Sequence, residues 1–292
     1  MNEELFYPRR SFAFPPDKST DFKTAKVVVL PVPYDSTVDG RVGTREGPNA
    51  IIDTSLYPEP YDYELGCNIY EVGIHTLPEL APSMKGPEET VERVYTVVKE
   101  LLDKKKFVVM LGGEHSLTAG AVRAYSERFK NLSVLQLDAH TDLRDEYEDT
   151  KFDHACTMRR VHECCPIVQV GIRSMDIDDE QYIKSKKLRP FYAKEKPLST
   201  ADEKAIVSRL SDDVYITIDL DVFDPSIMSA VGTPEPGGMG WYEVLRLLKR
   251  VTREKHVVGF DVMELAPREG PYACTFLAAK LTGKLIGLSL IK

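Results

Sequence analysis

Residues 132–142 read Leu-Ser-Val-Leu-Gln-Leu-Asp-Ala-His-Thr-Asp, a run of mainly apolar residues that ends in three side chains able to bind metals. The length and apolar character of residues 132–137 are typical of a strand buried on both faces, as in a parallel sheet. Alternate residues of an extended chain project to one side. The stretch therefore predicts a parallel strand that brings Asp138, His140 and Asp142 to one place.

The same pattern, an apolar run followed directly by polar residues, occurs three more times. Residues 107–111 lead into Gly-Gly-Glu-His115-Ser, 214–218 into Asp219-Leu-Asp221, and 257–260 into Asp261-Val-Met-Glu264. Other runs that predict strands are 27–32, 69–72, 167–170 and, as a weaker candidate, 188–192. The carboxyl ends of parallel strands lie at the same edge of a sheet, and functional loops collect there. We therefore expect these polar groups to converge on one site.

Helical spacing of apolar residues separates many of these runs. It predicts helices over residues 87–102, 117–129, 201–210, 241–251 and 272–281. Strands that alternate with helices indicate a mostly parallel sheet covered by helices on both sides. Because internal repeats and Ser/Gly-rich linkers are absent from the sequence, we expect a single domain over residues 1–292.

The composition narrows the classes of function. With 46 acidic and 38 basic residues among 292, the net charge is -8, which disfavours nucleic acid as a partner because phosphate binding needs a basic face. The five cysteines are an odd number without C-x-x-C spacing, as expected of reduced thiols in the cytoplasm. The N-terminal residues do not resemble a signal peptide, and we expect no apolar stretch long enough to span a bilayer. These features predict a cytoplasmic protein without a membrane partner.

The polar groups at the strand ends contain six candidate metal ligands, four carboxylates and two imidazoles. They are His115, Asp138, His140, Asp142, Asp219 and Asp221. Such oxygen-rich sets suit manganese, with iron, cobalt or nickel as substitutes. Four carboxylates are too many for one ion but suit two, because carboxylates bridge metals about 3.5–4 Å apart. We therefore predict two Mn(II) ions per chain, which would supply a hydroxide nucleophile near neutral pH.

These motifs resemble those of the ureohydrolase (arginase/agmatinase) family and occur in that family's order. The matching stretches are residues 40–48, 112–116, 138–142, 219–225, 232–238 and 261–264, so the resemblance covers about residues 25–290. The Phe-Asp-His-Ala sequence at 152–155 is closer in appearance to agmatinases than to arginases. The resemblance implies an arginase-like three-layer α/β/α sandwich around an eight-stranded, largely parallel sheet. It also implies a homo-oligomer, either a trimer or a hexamer.

The resemblance implies a role for each matching residue. His115, Asp138, Asp142 and Asp219 would hold one manganese, and Asp138, His140, Asp219 and Asp221 the other. Glu264 would receive the guanidinium group of the substrate, because a carboxylate suits that planar donor fork. His154 would carry protons at the mouth of the site, and Asp142 could accept the proton of the hydroxide.

The loop at 143–153 is expected to select the rest of the substrate. Arginases typically have asparagine two positions after the residue matching Asp142, and here that position is Arg144. The loop carries five acidic side chains, Asp145, Glu146, Glu148, Asp149 and Asp153. An acidic rim favours a second positive charge. We therefore expect agmatine or aminopropylagmatine, in polyamine metabolism, with arginine and guanidinobutyrate as alternatives because the fork of Arg144 could pair with a carboxylate.

Three other functions compete with this interpretation. A mononuclear zinc deacetylase would share the broad fold but would not need His115 and Asp142 as ligands. A formiminoglutamate hydrolase would need cationic residues for two carboxylates, which an acidic loop does not supply. An inactive binding protein would be expected to have lost a ligand, and all six candidates are present.

Overall fold

Ten strands occur in the part of the chain that the computed structural model describes, residues 11–13 and 20–291. Eight of them pair in parallel in one sheet of order β4-β1-β5-β10-β9-β6-β7-β8. These eight are β1 (Val27–Val32), β4 (Ile74–Thr76), β5 (Phe107–Gly112), β6 (Leu132–Leu137), β7 (Ile167–Ile172), β8 (Phe191–Tyr192), β9 (Asp213–Asp219) and β10 (His256–Met263). The other two, β2 (Tyr61–Asp62) and β3 (Cys67–Asn68), form a small antiparallel hairpin.

Helices cover both faces of the sheet. One layer contains α2 (Pro87–Asp103), α3 (Leu117–Arg128), α4 (Thr157–Cys164) and α5 (Ile177–Lys186). The other contains α1 (Gly47–Thr54), α6 (Thr200–Arg209), α7 (Trp241–Glu254) and α8 (Tyr272–Leu290). Alternate residues of β1 contribute to different cores, Val27 and Val29 to one and Val28 and Leu30 to the other. The predicted three-layer α/β/α sandwich with an eight-stranded parallel sheet is confirmed.

The four strands that carry the polar motifs are neighbours at the centre of the sheet, in the order β5-β10-β9-β6. Their register aligns the carboxyl ends: Asp219 pairs with Met263, and Ile218 pairs with Leu137. Asp138 and Glu264 each follow their strand by one residue. The expectation that the four motifs share one edge is confirmed.

Two parts of the sequence prediction need correction. The run Ile69–Val72, predicted to be a strand, is a 3-10 turn with no buried residue, and Gly73 (φ 73) then redirects the chain into β4. Helices α1, α4 and α5 were not predicted. The weak candidate at 188–192 does contain a strand, β8, although that strand has only two residues.

Helix α8 contradicts the expectation that no apolar stretch reaches bilayer-spanning length. It has 19 residues with a mean hydropathy of 1.3, enough by length and composition to cross a membrane. In the structure 61% of the apolar segment is buried, and its side chains Cys274, Ala278, Leu281 and Leu285 belong to the core beneath the sheet. These contacts are typical of a core helix.

Candidate metal centre

The candidate metal centre lies at the carboxyl edge of the four central strands. A cavity of about 260 Å³ opens there, and five of the six predicted ligands line it. These are His115, His140, Asp142, Asp219 and Asp221, and Arg144, His154 and Glu264 line the same cavity. The sixth predicted ligand, Asp138, is fully buried. The structure therefore brings all six predicted ligands to one place.

His115 faces three carboxylates with one ring nitrogen. Its Nδ1 lies 3.1 Å from Asp138 Oδ2, 3.0 Å from Asp142 Oδ2 and 3.5 Å from Asp219 Oδ2. This nitrogen is buried and has no hydrogen-bond partner. A buried nitrogen without a partner is costly unless something binds it. Its surroundings suit a divalent cation.

His140 forms a second group with two carboxylates. Its Nδ1 lies 2.8 Å from Asp221 Oδ2 and 3.7 Å from Asp138 Oδ1. The potential ligand atoms of His140, Asp138 and Asp221 lie within 4.8 Å of one another, as do those of His115, Asp138 and Asp219. The two groups share Asp138, which offers a different oxygen to each histidine. A shared carboxylate is the arrangement that a pair of ions requires.

The charges of this cluster also fit metal ions. Burial, together with the charges of Asp221 and Asp138, raises the pKa of Asp219 well above its usual value. Burial and the charge of Asp138 raise the pKa of Asp142 to about 6. Burial lowers the pKa of His140, but Asp221 and Asp138 outweigh this effect and raise it to about 12. The crowded cluster thus holds protons, above all on Asp219 and His140, that divalent cations would replace.

The backbone is strained at two of these positions. Asp142 and Glu264 both have positive φ, 51° and 65°, a conformation that residues other than glycine rarely adopt. Such strain persists only where the surrounding structure enforces it, and it is concentrated at functional sites. The Glu264 amide donates to the carbonyl of Gly113 (2.9 Å), which ties the end of β10 to the turn before His115.

Glu264 and His154 face each other across the cavity. The Glu264 carboxylate accepts a hydrogen bond from the His115 amide (2.6 Å), and burial raises its pKa to about 8 against the charge of His154. Nδ1 of His154 lies 3.0 Å from Asp153 Oδ1. Burial lowers the pKa of His154, but Asp153 and the charge of Glu264 outweigh it and raise the pKa to about 10. The imidazole is therefore held protonated near neutral pH in the protein without bound metal.

The outer part of the cavity differs from the sequence expectation. Of the loop 143–153, all of which the structure describes, Arg144 alone lines the cavity. The carboxylate of Asp145 instead pairs with Arg160 (2.7 Å), and Glu146, Glu148 and Asp149 are exposed. Asp153, predicted to bind substrate, does not line the cavity, because its fully buried side chain lies against His154. Asp153 is instead placed to orient the imidazole ring of His154.

Three other carboxylates, which were not predicted from the sequence, line the outer cavity. They are Asp39, Asp176 and Asp179. The last two follow the apolar run 167–172 closely, so the rule that polar residues gather beyond strand ends could have found them. Asp39 lies in the loop after β1. Arg144 is already engaged here: its guanidinium is 4.0 Å from the Tyr147 ring and 3.5 Å from Asp176 Oδ2.

A parallel α/β/α sheet with a cluster of carboxylates and imidazoles at its carboxyl edge defines an α/β protein with a candidate two-metal centre. Residues 25–287 match the model of the Arginase family, and the chain belongs to that family. It is 41% identical to an N(1)-aminopropylagmatine ureohydrolase from Synechocystis sp. over 92% of this chain and 90% of the relative. It is 33% identical to an agmatinase from Pyrococcus horikoshii, with 98% and 99% covered. The crystal structure of agmatine ureohydrolase of Thermoplasma volcanium superimposes with a TM-score of 0.88 at 31% identity, covering 98% of this chain and 96% of that one.

Proposed function

We propose that the protein is a two-metal ureohydrolase that releases urea from a guanidino-amine. The observation that carries the proposal is the convergence of six ligands, Glu264 and His154 on one cavity. In the proposed assignment, His115, Asp138, Asp142 and Asp219 would hold one Mn(II) ion, and Asp138, His140, Asp219 and Asp221 would hold the other. A single domain, a trimeric or hexameric assembly and a cytoplasmic location complete the proposal and follow from the family resemblance and the cysteine usage.

The chain's own residues can carry out the remaining steps. When bound, a pair of divalent ions lowers the pKa of a water molecule and so supplies the nucleophile. Glu264 receives the guanidinium and holds its carbon beside the ligand cluster, oriented for addition of an oxygen nucleophile. His154 donates a proton to the alkyl-bearing nitrogen, so that the bond between this nitrogen and the central carbon breaks and the amine leaves. Asp142 would accept the proton that the added oxygen still carries, which leaves urea.

The outer cavity supports an amine at the far end of the substrate. Asp39, Asp176 and Asp179 offer three carboxylates, whereas Arg144, the one arginine among the described residues that line the cavity, lies over the Tyr147 ring and is paired with Asp176. A second ammonium group is therefore favoured over a free carboxylate. Agmatine and aminopropylagmatine fit this requirement. Arg144 also lines the cavity, and its guanidinium could pair with a substrate carboxylate. Guanidinobutyrate and arginine are therefore the second candidates.

The test is a urea-release screen after loading with Mn²⁺, over agmatine, aminopropylagmatine, arginine and guanidinobutyrate. We expect urea from the two amines and two bound ions per chain by elemental analysis. Asp219→Ala should abolish both activity and the binuclear manganese spectrum, because it removes a bridge. Release of acetate from an acetylated amine with one zinc bound would indicate a deacetylase, and metal binding without any urea would indicate a binding protein.

A further inference from the structure

A buried polar group lies behind His115 and lines no part of the cavity. At its centre is Asp261 on β10, fully buried between β9 and α3. Its Oδ2 accepts hydrogen bonds from the hydroxyls of Tyr215 (2.8 Å) and Thr118 (2.9 Å). A buried carboxylate is costly, since it gives up strong hydration. The steps of urea release given above do not use it.

Thr217 connects this group to His115. The Thr217 hydroxyl lies 2.8 Å from His115 Nε2, the ring nitrogen opposite the one that faces the carboxylate cluster. It also lies 3.4 Å from the Thr118 hydroxyl, which in turn donates to Asp261. A continuous chain of polar atoms therefore runs from the carboxylate of Asp261 to the imidazole.

The carboxylate fixes the direction of every hydrogen bond in this chain. An ionised carboxylate can only accept, so Thr118 must give its proton to Asp261. Thr118 then has no proton left for Thr217, so the Thr217 hydroxyl is the donor in the contact between the two threonines, and an oxygen lone pair of Thr217 is left for His115. Nε2 must therefore carry a proton. With Nε2 protonated, a neutral imidazole presents the lone pair of Nδ1 to the cluster.

We propose that Asp261 is a positioning residue that sets the tautomer of His115 through Thr217 and Thr118, and so makes Nδ1 a metal ligand. The absence of a hydrogen-bond partner on Nδ1 agrees with this assignment. Histidine ligands in metal sites generally donate their second N–H to an acceptor that also fixes the ring orientation. The inference rests on the proposed function for the presence of the metal, but its content concerns residues outside the cavity.

The test compares the Mn²⁺ affinity of variants that disrupt these hydrogen bonds with that of variants that keep them. The affinity is measured by titration calorimetry on the folded metal-free protein. Asp261→Asn keeps the volume but introduces an NH₂ donor, and Thr217→Val removes the connecting hydroxyl. We expect both to weaken Mn²⁺ binding by roughly 10–100-fold, the usual effect of losing such a support. Tyr215→Phe is the matched control, since it removes the other hydroxyl donor to Asp261 but keeps the Asp261–Thr118–Thr217 route to His115 and should bind Mn²⁺ nearly normally. Thr217→Ser restores the hydroxyl and should restore the affinity.

Urea unfolding of each metal-free variant separates positioning from a purely structural role. A structural role predicts a lower free energy of unfolding together with unaltered Mn²⁺ affinity of the folded protein. That result, or a Thr217→Ser variant as weak as Thr217→Val, would overturn the inference. If Asp261→Asn does not fold, the two Thr217 variants decide the question. If the unmodified protein binds no divalent ion, the proposed function itself fails, which is a different outcome from equal affinities in all variants.

Discussion

Two side chains that line the cavity, His154 and Glu264, have neighbours that suit the first to donate a proton and the second to bind a cation. Glu264 is aligned by the His115 amide and can accept a cation, whereas His154 is backed by Asp153 and holds a proton. The His154 amide also donates to the Thr37 hydroxyl (3.1 Å), so the backbone of this residue is fixed as well as its ring. Neither residue belongs to the two ligand groups that share Asp138.

We predict that His154→Asn keeps its metal and nearly normal substrate affinity but loses roughly 10²–10⁴-fold in turnover, the range for a general acid–base group. An alkylamine leaves poorly without a proton, and asparagine cannot supply one. The measurement is kcat and manganese content of the same sample, with His162→Asn as the control histidine outside the cavity. Added imidazole should recover part of the activity. Loss of metal with normal turnover per remaining metal pair would assign His154 a supporting role.

A second prediction concerns the outer cavity. Asp176→Asn removes a carboxylate that can receive a distant ammonium group and also frees the charge of Arg144. We expect kcat/KM for aminopropylagmatine to fall roughly fivefold to tenfold relative to guanidinobutyrate, since a partly exposed charge pair contributes about 1 kcal/mol. Glu146→Gln, which neutralises an exposed residue of the acidic loop, is the control. An unchanged ratio between the two substrates in Asp176→Asn would contradict the assignment.

At this scale the sequence predicts ligands better than it predicts the cavity rim. Asp138 and Asp219 lie at strand ends, and His140 and Asp221 each follow two residues later, so the strand ends determine where these candidate ligands gather. The acidic side chains of the loop 143–153 have no such constraint. Asp145 is drawn to Arg160 of α4, a helix that the sequence analysis did not find. The position of a loop carboxylate thus depends on tertiary contacts that local patterns do not contain.

At the scale of elements, the turn between β5 and α3 joins the ends of two other strands. The Gly113 amide donates to Val32 O (3.0 Å), and Gly113 O accepts from the Glu264 amide (2.9 Å). A Cβ on Gly113 would lie 1.9 Å from the backbone oxygen of Tyr34. The next residue, Glu114, binds the Thr37 amide and hydroxyl, both at 2.7 Å, and so holds the loop that contacts His154.

We therefore predict that Gly113→Ala costs roughly 1–3 kcal/mol or more of unfolding free energy and lowers turnover, because backbone must move. Gly112→Ala is the matched control. Its Cβ would meet Met263 Cε at 2.1 Å, but that atom is the end of a flexible side chain. Urea unfolding and kcat for the two variants make the comparison. Equal losses in both, or a larger loss in Gly112→Ala, would contradict the importance of the Tyr34 contact.

The long buried elements were predictable because their periodicity reflects burial. Helix α2 was expected over 87–102 and occupies Pro87–Asp103, since Pro87 starts it and Val91, Val94 and Val98 face the core. The prediction for Ile69–Val72 was wrong because four residues are too few to distinguish a strand from a turn. Helices α1 and α4 have only eight residues each, so their periodicity is weak.

At the scale of the whole molecule, one buried ion cluster joins segments far apart in the chain. Lys284 of α8 donates to Asp62 Oδ1 (2.8 Å) in the β2–β3 hairpin, 222 residues away, and contacts the Glu64 carboxylate. Lys249 of α7 lies 3.3 Å from the same Glu64. The side chains of Lys284 and Asp62 are each only 5% exposed. Without Lys284 the buried charge of Asp62 would lose its cationic partner, so the packing of the hairpin against α8 depends on this lysine.

This cluster should make stability depend on pH at the acid end. Burial raises the pKa of Asp62, but the hydrogen bond and charge of Lys284 outweigh it, and the hydrogen bond from Lys284 lowers the pKa of Glu64. A carboxylate whose pKa is lower in the folded state than in the unfolded state stabilises the fold at any pH above the unfolded pKa, which is near 4. This stabilisation is lost as the pH falls from the unfolded pKa through the folded pKa. Burial lowers the pKa of Lys284, but the same two carboxylates outweigh burial and raise this pKa. The stability that Lys284 contributes is therefore lost only above its ordinary pKa of about 10.4.

We therefore predict that Lys284→Met lowers the free energy of unfolding at pH 7 by roughly 3–5 kcal/mol, the cost of breaking a buried pair. At pH 3 the difference from the unmodified protein should shrink, because this pH lies below the unfolded pKa of the carboxylates, where the contribution of the pair to stability is already falling. Urea unfolding of both proteins at pH 7 and pH 3 measures the two differences. Lys280→Met, a change one turn earlier on the same helix, is the control and should be nearly neutral at both values. If Lys284→Met lowers the free energy of unfolding as much at pH 3 as at pH 7, the charge of Lys284 is not what holds α8 against the hairpin. Packing of the lysine stem would then account for the loss.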